Sequence, residues 1–400
     1  MTDSEYEFLG DSKPKRRGWL KAIVWVMIVV LAGTFAVGAG SYFFITNQLS
    51  ASGIEVYSTD GNTFDLPTPE DIEGPINVLL IGSDTREGQG DTNYGPVGSA
   101  LADVIIMLHI SSDRQNVVAL SIPRDLMVSV PACPNPAGGE DFPAREFVQI
   151  NSTMAKAGPA CTLLAVQELT GVTMPYLAMI DFKGVIAMSE AIGGVDVCVA
   201  EPINDDYSKL YLEAGEHTLI GDQALAFLRT RHGVGDGSDL SRISNQQVFL
   251  TSLVRKLKDE GALTNPFTMF RLGTAALSNM TLSRSLTDLG VIFGLAQQVN
   301  DVDLDKITFI KLPVYDLDGE YAGRVAAIPD RSAELFALLA SDAPLVLAEA
   351  NPGTGAVVVE DNAITTETTE VTDPAAVETA APLLPEWVQG TNAATKSCSK

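Results

Sequence analysis

Three runs of consecutive apolar residues with little alternation lie in the first third of the chain: Asn77-Val-Leu-Leu-Ile81, Val104-Ile-Ile-Met-Leu-His-Ile110 and Asn116-Val-Val-Ala-Leu-Ser-Ile122. Continuous runs of this length, stopped by Gly82 and Pro123, predict strands covered on both faces. Beyond them the period lengthens. Apolar residues recur at helical spacing over 160–169 and 183–191, and Val248, Leu250, Leu253, Val254 and Leu257 fall at steps of three and four within a helix expected over 243–257. Gly193-Gly194 ends the second helix, and Val195-Asp-Val-Cys-Val199 predicts a strand. Gly221-Asp222 opens a helix that runs toward Arg229, Ile307 to Leu312 reads as a late strand, and Ser332 to Ala340 as a last helix. Strands alternating with helices predict an α/β fold, a single α-β-α layered domain with a mixed central sheet spanning 75–345.

The flanks read differently. Ala22 to Ile45 is a stretch of 24 residues without a charge, and a helix needs roughly 20 apolar residues to cross a bilayer. Lys13, Lys15, Arg16, Arg17 and Lys21 precede it, and no Lys or Arg follows until after Thr85. That asymmetry places 1–21 in the cytoplasm, a transmembrane helix at 22–45, and the rest of the chain outside. A cleaved secretory signal is the alternative, but its apolar region is normally about 7–15 residues, so an uncleaved signal-anchor fits better. Residues 46–74 read as a polar extracytoplasmic stalk. From Ala350 to Thr395 there is again no Lys or Arg. A segment dominated by Thr, Ala, Glu, Asp and Pro buries too little apolar surface to offset ordering entropy, so 346–400 is expected to be a disordered acidic tail.

Charge and cysteines sharpen this. The formal net charge is −25; a location outside the cell removes nucleic acid as a partner, and a cytoplasmic segment of 21 residues is too short for a DNA-binding domain. Outside the cytoplasm disulfides persist. Cys133 and Cys161 flank the Pro/Gly-rich stretch 134–143 and are expected to pair. Cys198 lies in an apolar strand-like run, where a buried free thiol is equally reasonable, and Cys398 lies in the tail. No cysteine–histidine cluster has zinc spacing.

Against that acidic background, Arg229, Arg231, His232, Arg242 and Gln246 fall within eighteen residues. Arginine presents a rigid fork that fits phosphate in a bidentate way. Three further islands carry charge at strand ends: Gly82-Ser-Asp84-Thr-Arg86, Asp103, and Ser121-Ile-Pro-Arg124-Asp125. Ligand sites in open α/β sheets gather beyond the carboxyl ends of strands. Asp103 precedes its strand, so an antiparallel neighbour would bring it to the same edge. Carboxylates beside arginines are either structural ion pairs or a magnesium–pyrophosphate site, since magnesium takes one or two carboxylates and leaves its other positions to phosphate and water.

These residues resemble a family. Asn-Val-Leu-Leu-Ile-Gly-Ser-Asp-Thr-Arg at 77–86, Ala-Asp-Val-Ile-Ile-Met-Leu-His-Ile at 102–110 and Ser-Ile-Pro-Arg-Asp at 121–125 look like the LytR-CpsA-Psr proteins of bacterial envelopes. So do Ile150-Asn151, Gly193-Gly-Val-Asp-Val197, the run from Leu219 to Arg231, Asp239-Leu-Ser-Arg-Ile243 and Gln246-Gln247. The resemblance covers about 75 to 345, with the motifs in order. It implies a phosphotransferase at the outer membrane face, which moves a glycopolymer from a polyprenyl-pyrophosphate carrier to a peptidoglycan or glycoprotein hydroxyl. Residue by residue, it implies Asp84 and Asp103 as magnesium ligands and Arg86, Arg124, Arg229, Arg231 and Arg242 as grips on phosphate oxygens. Gln246 would lie beside them, with Lys183 as a further phosphate contact. Asp125 or Asp84 is the expected base for the acceptor hydroxyl. Two positions depart from the family pattern: Leu101 and Asn245 stand where arginines are common. They leave room for a second reading, a non-catalytic envelope protein that binds polyprenyl phosphates or wall glycans. The Gly-rich stretch between Asp84 and Asp103 reads as a long surface loop, with a lid as the alternative.

Overall fold

In the computed structural model the described residues are 53–64, 72, 74–84, 100–259, 261, 266–359 and 383–400. The expected cytoplasmic segment, the anchor at 22–45 and Arg86 lie outside them, as do most residues of the loop after Asp84. Among the described residues no helix is long and apolar enough to cross a membrane.

In chain order the elements are β1 (Ile76–Ser83), β2 (Ala102–Ile110), β3 (Val117–Ile122), β4 (Met127–Val130), β5 (Arg145–Gln149), α1 (Ser152–Thr170), β6 (Tyr176–Ile180), α2 (Phe182–Ala191) and β7 (Val195–Val199). There follow β8 (Ile203–Asp205), β9 (Leu210–Leu212), β10 (Gly215–Leu219), α3 (Asp222–Arg229), α4 (Asp239–Asp259), α5 (Pro266–Asn279), β11 (Met280–Leu282), α6 (Leu289–Asp301) and β12 (Ile307–Lys311). The last are β13 (Val314–Asp316), β14 (Val325–Ala327), α7 (Pro329–Ala340), β15 (Ala356–Val358), β16 (Gly390–Asn392) and β17 (Ser397–Ser399).

Seven strands form the central sheet in the order β11-β6-β1-β2-β3-β12-β16. It is mixed: β1 runs antiparallel to β2 and parallel to β6, and β3 runs antiparallel to β2 and parallel to β12. The apolar runs are its middle. Every residue of β3 is buried, and Leu79, Ile81, Ile105, Met107 and Leu120 join one core with Leu163, Val166 and Met174 of the α1 region. Each such side chain stabilises the fold by roughly 1.5–3 kcal/mol relative to exposure. Helix α1 is longer than its apolar pattern and bends where Gly158 adopts φ 76° ahead of Pro159. Pro159 lacks the amide hydrogen an unbroken helix needs there. The bond between Cys133 and Cys161 ties the β4–β5 hairpin to this helix.

A second sheet, β10-β7-β17-β15, packs on α4 and encloses a smaller core around Val197, Leu219, Phe227 and Phe249. Here the expected tail is corrected. Residues 383–400 are ordered: β16 extends the central sheet beside β12, and β17 pairs with β7 and β15. A second disulfide joins Cys198 to Cys398 across 200 residues of sequence, so neither cysteine is a free thiol. Composition averaged over the whole tail hides this, because its cohesion comes from strand partners and a covalent bond supplied by distant chain. The boundaries 75 and 345 widen at both ends. Residues 53–64, expected as stalk, pack on the domain: Val56 is buried in the main core, and Ile54 pairs with Ser283. Residues 360–382 lie outside the described set.

Candidate active site

Strand register brings the sequence islands to one sheet edge. Gly82 faces Val104 in β2 and Ile180 in β6, and Ile105 faces Ile122 in β3. Asp181–Lys183, Asp84, Asp103 and Arg124 therefore sit at the same end of four neighbouring strands. The antiparallel turn expected for Asp103 is present, with one refinement. The β1–β2 register shifts between Gly82 and Ser83, which faces Ala102. Asp103 is thus the extra residue of a β-bulge, a device that re-aims a side chain. The strands close tightly here; a Cβ on Gly82 would lie 3.0 Å from Cβ of Val104. Asp84 is anchored by Leu101, whose backbone amide donates to Oδ1 at 2.8 Å. Leu101, at a position where the family commonly has arginine, thus contributes its amide.

Arg124 is the hub of the ionic network. Its Nη1 lies 2.5 Å from Oδ1 of Asp103, and its Nε lies 3.4 Å from Asp239 and 3.8 Å from Asp125. Arg242, 4% exposed, contacts Asp239 at 2.6 Å and donates to the Asp103 carbonyl at 3.0 Å. Burial works to depress the Arg124 pKa, but Asp103, then Asp239 and Asp125, outweigh it and raise it above the usual value. Burial wins at Arg242, whose pKa is lowered in spite of Asp239. Arginine's ordinary pKa is so high that it stays charged near neutrality. Nε of Arg124 and Arg242 and both carboxylate oxygens of Asp239 are buried without well-directed hydrogen bonds among the described residues. Buried polar groups are nearly always hydrogen-bonded, so spare donors here leave capacity for an incoming oxyanion.

A pocket opens against this network. Its polar wall is Asp103, Ser121, Arg124, Asp239, Arg242 and Gln246, and its apolar wall is Val104, Ile105, Ile106, Ile122 and Ile243. The cleft is small, and Ile105 and Ile122 belong to the main core behind it, so its distinguishing feature is the ionic wall. Asp125 stands at the edge of the network. It accepts from Gln149 Nε2 at 2.5 Å, and Arg324 Nη1 lies 3.8 Å away. Burial first, and the neighbouring Asp239 second, raise its pKa above the ordinary carboxylate value.

Arg229 and Arg231 approach from the end of α3. The Arg229 guanidinium lies over the Phe182 ring, 4.6 Å from its centroid, which brings it to the β6 side of the sheet edge. The charge of Arg231 acts on both Arg242 and Asp125. The Asp205 carboxylate holds the segment between them, accepting from the Thr230 hydroxyl at 2.7 Å and the Arg231 amide at 3.1 Å. Burial raises the Asp205 pKa, but these bonds and those from Tyr207 and Ser208 bring it down to about 2. Gln246 lines the pocket while its amide donates to the Leu228 carbonyl at 3.0 Å. Lys183 is exposed on α2, next to Phe182 and outside the pocket lining.

Asn245 faces away from the pocket. It is fully buried, donates to the Phe227 carbonyl at 2.6 Å and accepts from the Ser399 hydroxyl at 2.5 Å. Its departure from the family's arginine therefore takes no charge from the pocket wall. In the sequence Asp239 stands within a motif but is given no role there, and Asp205 and Gln149 are passed over. Asp239 had a signal, a carboxylate three residues before Arg242 at a helix start. Asp205 and Gln149 had none, because their partners are distant in sequence.

As a metal site, Asp84 and Asp103 offer two carboxylates at one strand edge. Among the described residues no group of three or more metal-ligating side chains comes together. Two carboxylates suit a magnesium ion that takes its remaining oxygens from a bound phosphate and water.

The model of the LytR_cpsA_psr family matches residues 41–331. The cell wall biosynthesis protein LcpA of Corynebacterium glutamicum is 27% identical over 345 residues, covering 79% of this chain; the match spans 63% of that protein's length. The polyisoprenyl-teichoic acid–peptidoglycan teichoic acid transferase TagT of Bacillus subtilis is 25% identical over 252 residues, covering 62% of this chain and 72% of TagT. Among solved structures, the LytR-Csp2A-Psr enzyme from Actinomyces oris shares the fold with a TM-score of 0.52 at 24% identity, over 72% of this chain and 95% of that one.

Proposed function

This chain belongs to the LytR_cpsA_psr family, and from that premise we propose that it is an envelope phosphotransferase. It moves a glycopolymer, with its linking phosphate, from a polyprenyl-pyrophosphate carrier to a hydroxyl of peptidoglycan or of a glycoprotein. The observation that carries the reading is the Arg124–Asp103–Asp239–Arg242 network lining a small cleft at the strand ends. The activity for which TagT of Bacillus subtilis is named, teichoic acid transfer to peptidoglycan, supports it.

The step breaks the bridging P–O bond of the pyrophosphate and forms a P–O bond to the acceptor oxygen. Polyprenyl phosphate leaves, and the hydroxyl proton passes to a base. Such transfer is catalysed mainly by positioning and by neutralising charge on the transferring and leaving phosphates. Arg124 and Arg242 supply that charge; phosphate oxygens compete with Asp103 and Asp239 for their guanidinium groups. Arg229 and Arg231 complete the grip from the end of α3. Asp84 and Asp103 would hold magnesium, which would supply further charge neutralisation at the pyrophosphate. Asp125 takes the acceptor proton, since a pKa raised by burial and by Asp239 strengthens it as a base. Residues 22–45 anchor the chain in the membrane, with 1–21 cytoplasmic and the domain outside.

The test uses the full chain in detergent micelles with magnesium and a short polyprenyl-pyrophosphate oligosaccharide. Polyprenyl phosphate should appear by mass spectrometry and vanish with chelator. Arg124→Ala should slow release by about 10²–10³. Carrier binding by the wild type without release, whether peptidoglycan or glycoprotein is offered, would make the chain a binding protein instead.

A further inference from the structure

Helix α3 ends at Arg229, and the last carbonyls of any helix lack partners within it. Here two of them are taken by side chains from α4: Asn245 donates to Phe227 and Gln246 to Leu228. These bonds set where the chain leaves α3, immediately before Arg229 and Arg231. Asn245 is in turn held by β17. Ser399 donates its hydroxyl to Oδ1 of Asn245, which fixes the amide with its nitrogen toward Phe227. The next residue ties the far end of the same loop, because the Gly235 amide donates to the Lys400 backbone oxygen at 2.6 Å. Strand β17 is itself fixed between β7 and β15 and bonded through Cys398 to Cys198. A strand 154 residues from Asn245 in sequence therefore reaches both ends of the segment that carries two of the phosphate-gripping arginines.

We propose that Ser399 and Asn245 are positioning residues, which hold the Phe227–Gly235 segment so that Arg229 and Arg231 meet the pyrophosphate. Neither lines the pocket. They act through the α3 carbonyls, and the functional half of the inference rests on the phosphotransferase reading. Loss of the Ser399 hydroxyl leaves the Asn245 amide free to rotate, and the arginines lose a defined approach while the fold persists. Misplacement of groups by about 1 Å costs up to about 10² in rate, so a partial loosening of this kind should lower kcat about tenfold.

Ser397 supplies the control. It lies in the same strand, equally buried, but its hydroxyl has no partner among the described residues. Ser399→Ala and Ser397→Ala are compared in the full chain by turnover, by thermal unfolding and by amide hydrogen exchange over residues 227–235. Ser399→Ala should lower kcat about tenfold with KM nearly unchanged and should speed exchange in that segment, whereas Ser397→Ala should match the wild type in both. The double variant Asn245→Ala/Ser399→Ala should be no worse than Asn245→Ala alone, since the two act as one unit. A Ser399→Ala protein with wild-type kcat, or one indistinguishable from Ser397→Ala in exchange, overturns the proposal even if its melting temperature falls. If the wild type turns over no substrate, the phosphotransferase reading fails, and the exchange comparison alone decides whether Ser399 holds the segment.

Discussion

The two flanks of α4 differ in kind. The flank toward the pocket carries Asp239, Arg242 and Gln246, and its charges are compensated chiefly by other charges. The flank toward the carboxyl-terminal residues carries Ser241, Ser244 and Asn245, and its bonds are directed hydrogen bonds. Ser241 meets Asp236 at 2.5 Å and Thr354 at 2.8 Å, Ser244 accepts from Lys311, and Asn245 joins Phe227 to Ser399. Hydroxyls and amides cost less to desolvate than buried ions, and their hydrogen bonds fix geometry by direction. Ion pairs can exchange partners when a phosphate arrives. One helix thus separates support from binding by which side of its axis a residue falls on, and neighbours in sequence such as Asn245 and Gln246 reach different surroundings.

Removing charge from the pocket flank is expected to have the largest effect. Arg242→Ala strips Asp239 of its 2.6 Å partner and leaves that buried carboxylate only Arg124, at 3.4 Å, which should cost up to about 3–5 kcal/mol of stability. Turnover should fall by about 10² or more even in protein that remains folded. Equal stability and turnover in the variant, by urea titration and product release, would show that the network is held by Arg124 alone.

Next in size is the proton acceptor. Asp125→Asn should lower kcat by about 10²–10⁴ and remove the acid limb of the rate–pH profile. In the wild type that limb should lie above the ordinary carboxylate pKa, because burial and Asp239 raise the pKa of Asp125 and the base must be ionised to act. An acid limb unchanged in Asp125→Asn would move the role to Asp84.

The smallest effect belongs to the supporting flank and concerns stability. Lys311 is buried, donates to Ser244 and to the Pro352 carbonyl at 2.8 Å, and burial, opposed in part by Asp236, pushes its pKa down to about 8 from 10.5. Between those values the unfolded chain holds the proton more tightly than the folded one. Lysine therefore opposes folding below pH 8, and that opposition is relieved as pH rises toward 10.5. Urea unfolding at pH 7.5, 8.5 and 9.5 should show the wild type gaining stability relative to Lys311→Met at each step. Parallel curves would place the charge in contact with solvent.

Much of the fold was readable along the chain. The apolar runs of β1, β2 and β3 and the spacing of α4 appear in the structure because both are local consequences of what each face must bury. Strands β16 and β17 were not readable, since three-residue strands carry no period and their partners are far off in sequence. The same holds for the disulfide partner of Cys198. At the site, Asp84, Asp103, Arg124, Arg242 and Gln246 were legible because charged residues at the ends of apolar strands and beside a helix start stand out. Lys183 carried the same kind of signal but faces solvent, and Asp205 carried none.

By itself the sequence determined which segments are strands and helices, and which charged residues lie at their ends. Those follow from hydrophobic period and from residue chemistry, both properties of a few neighbours. The tertiary structure decided that Asp103 is turned by a bulge, that Asn245 points away from the pocket and that β17 braces α4. Each of these depends on the register and packing of chain segments up to 200 residues apart, and a one-residue change in register reverses which way a side chain faces.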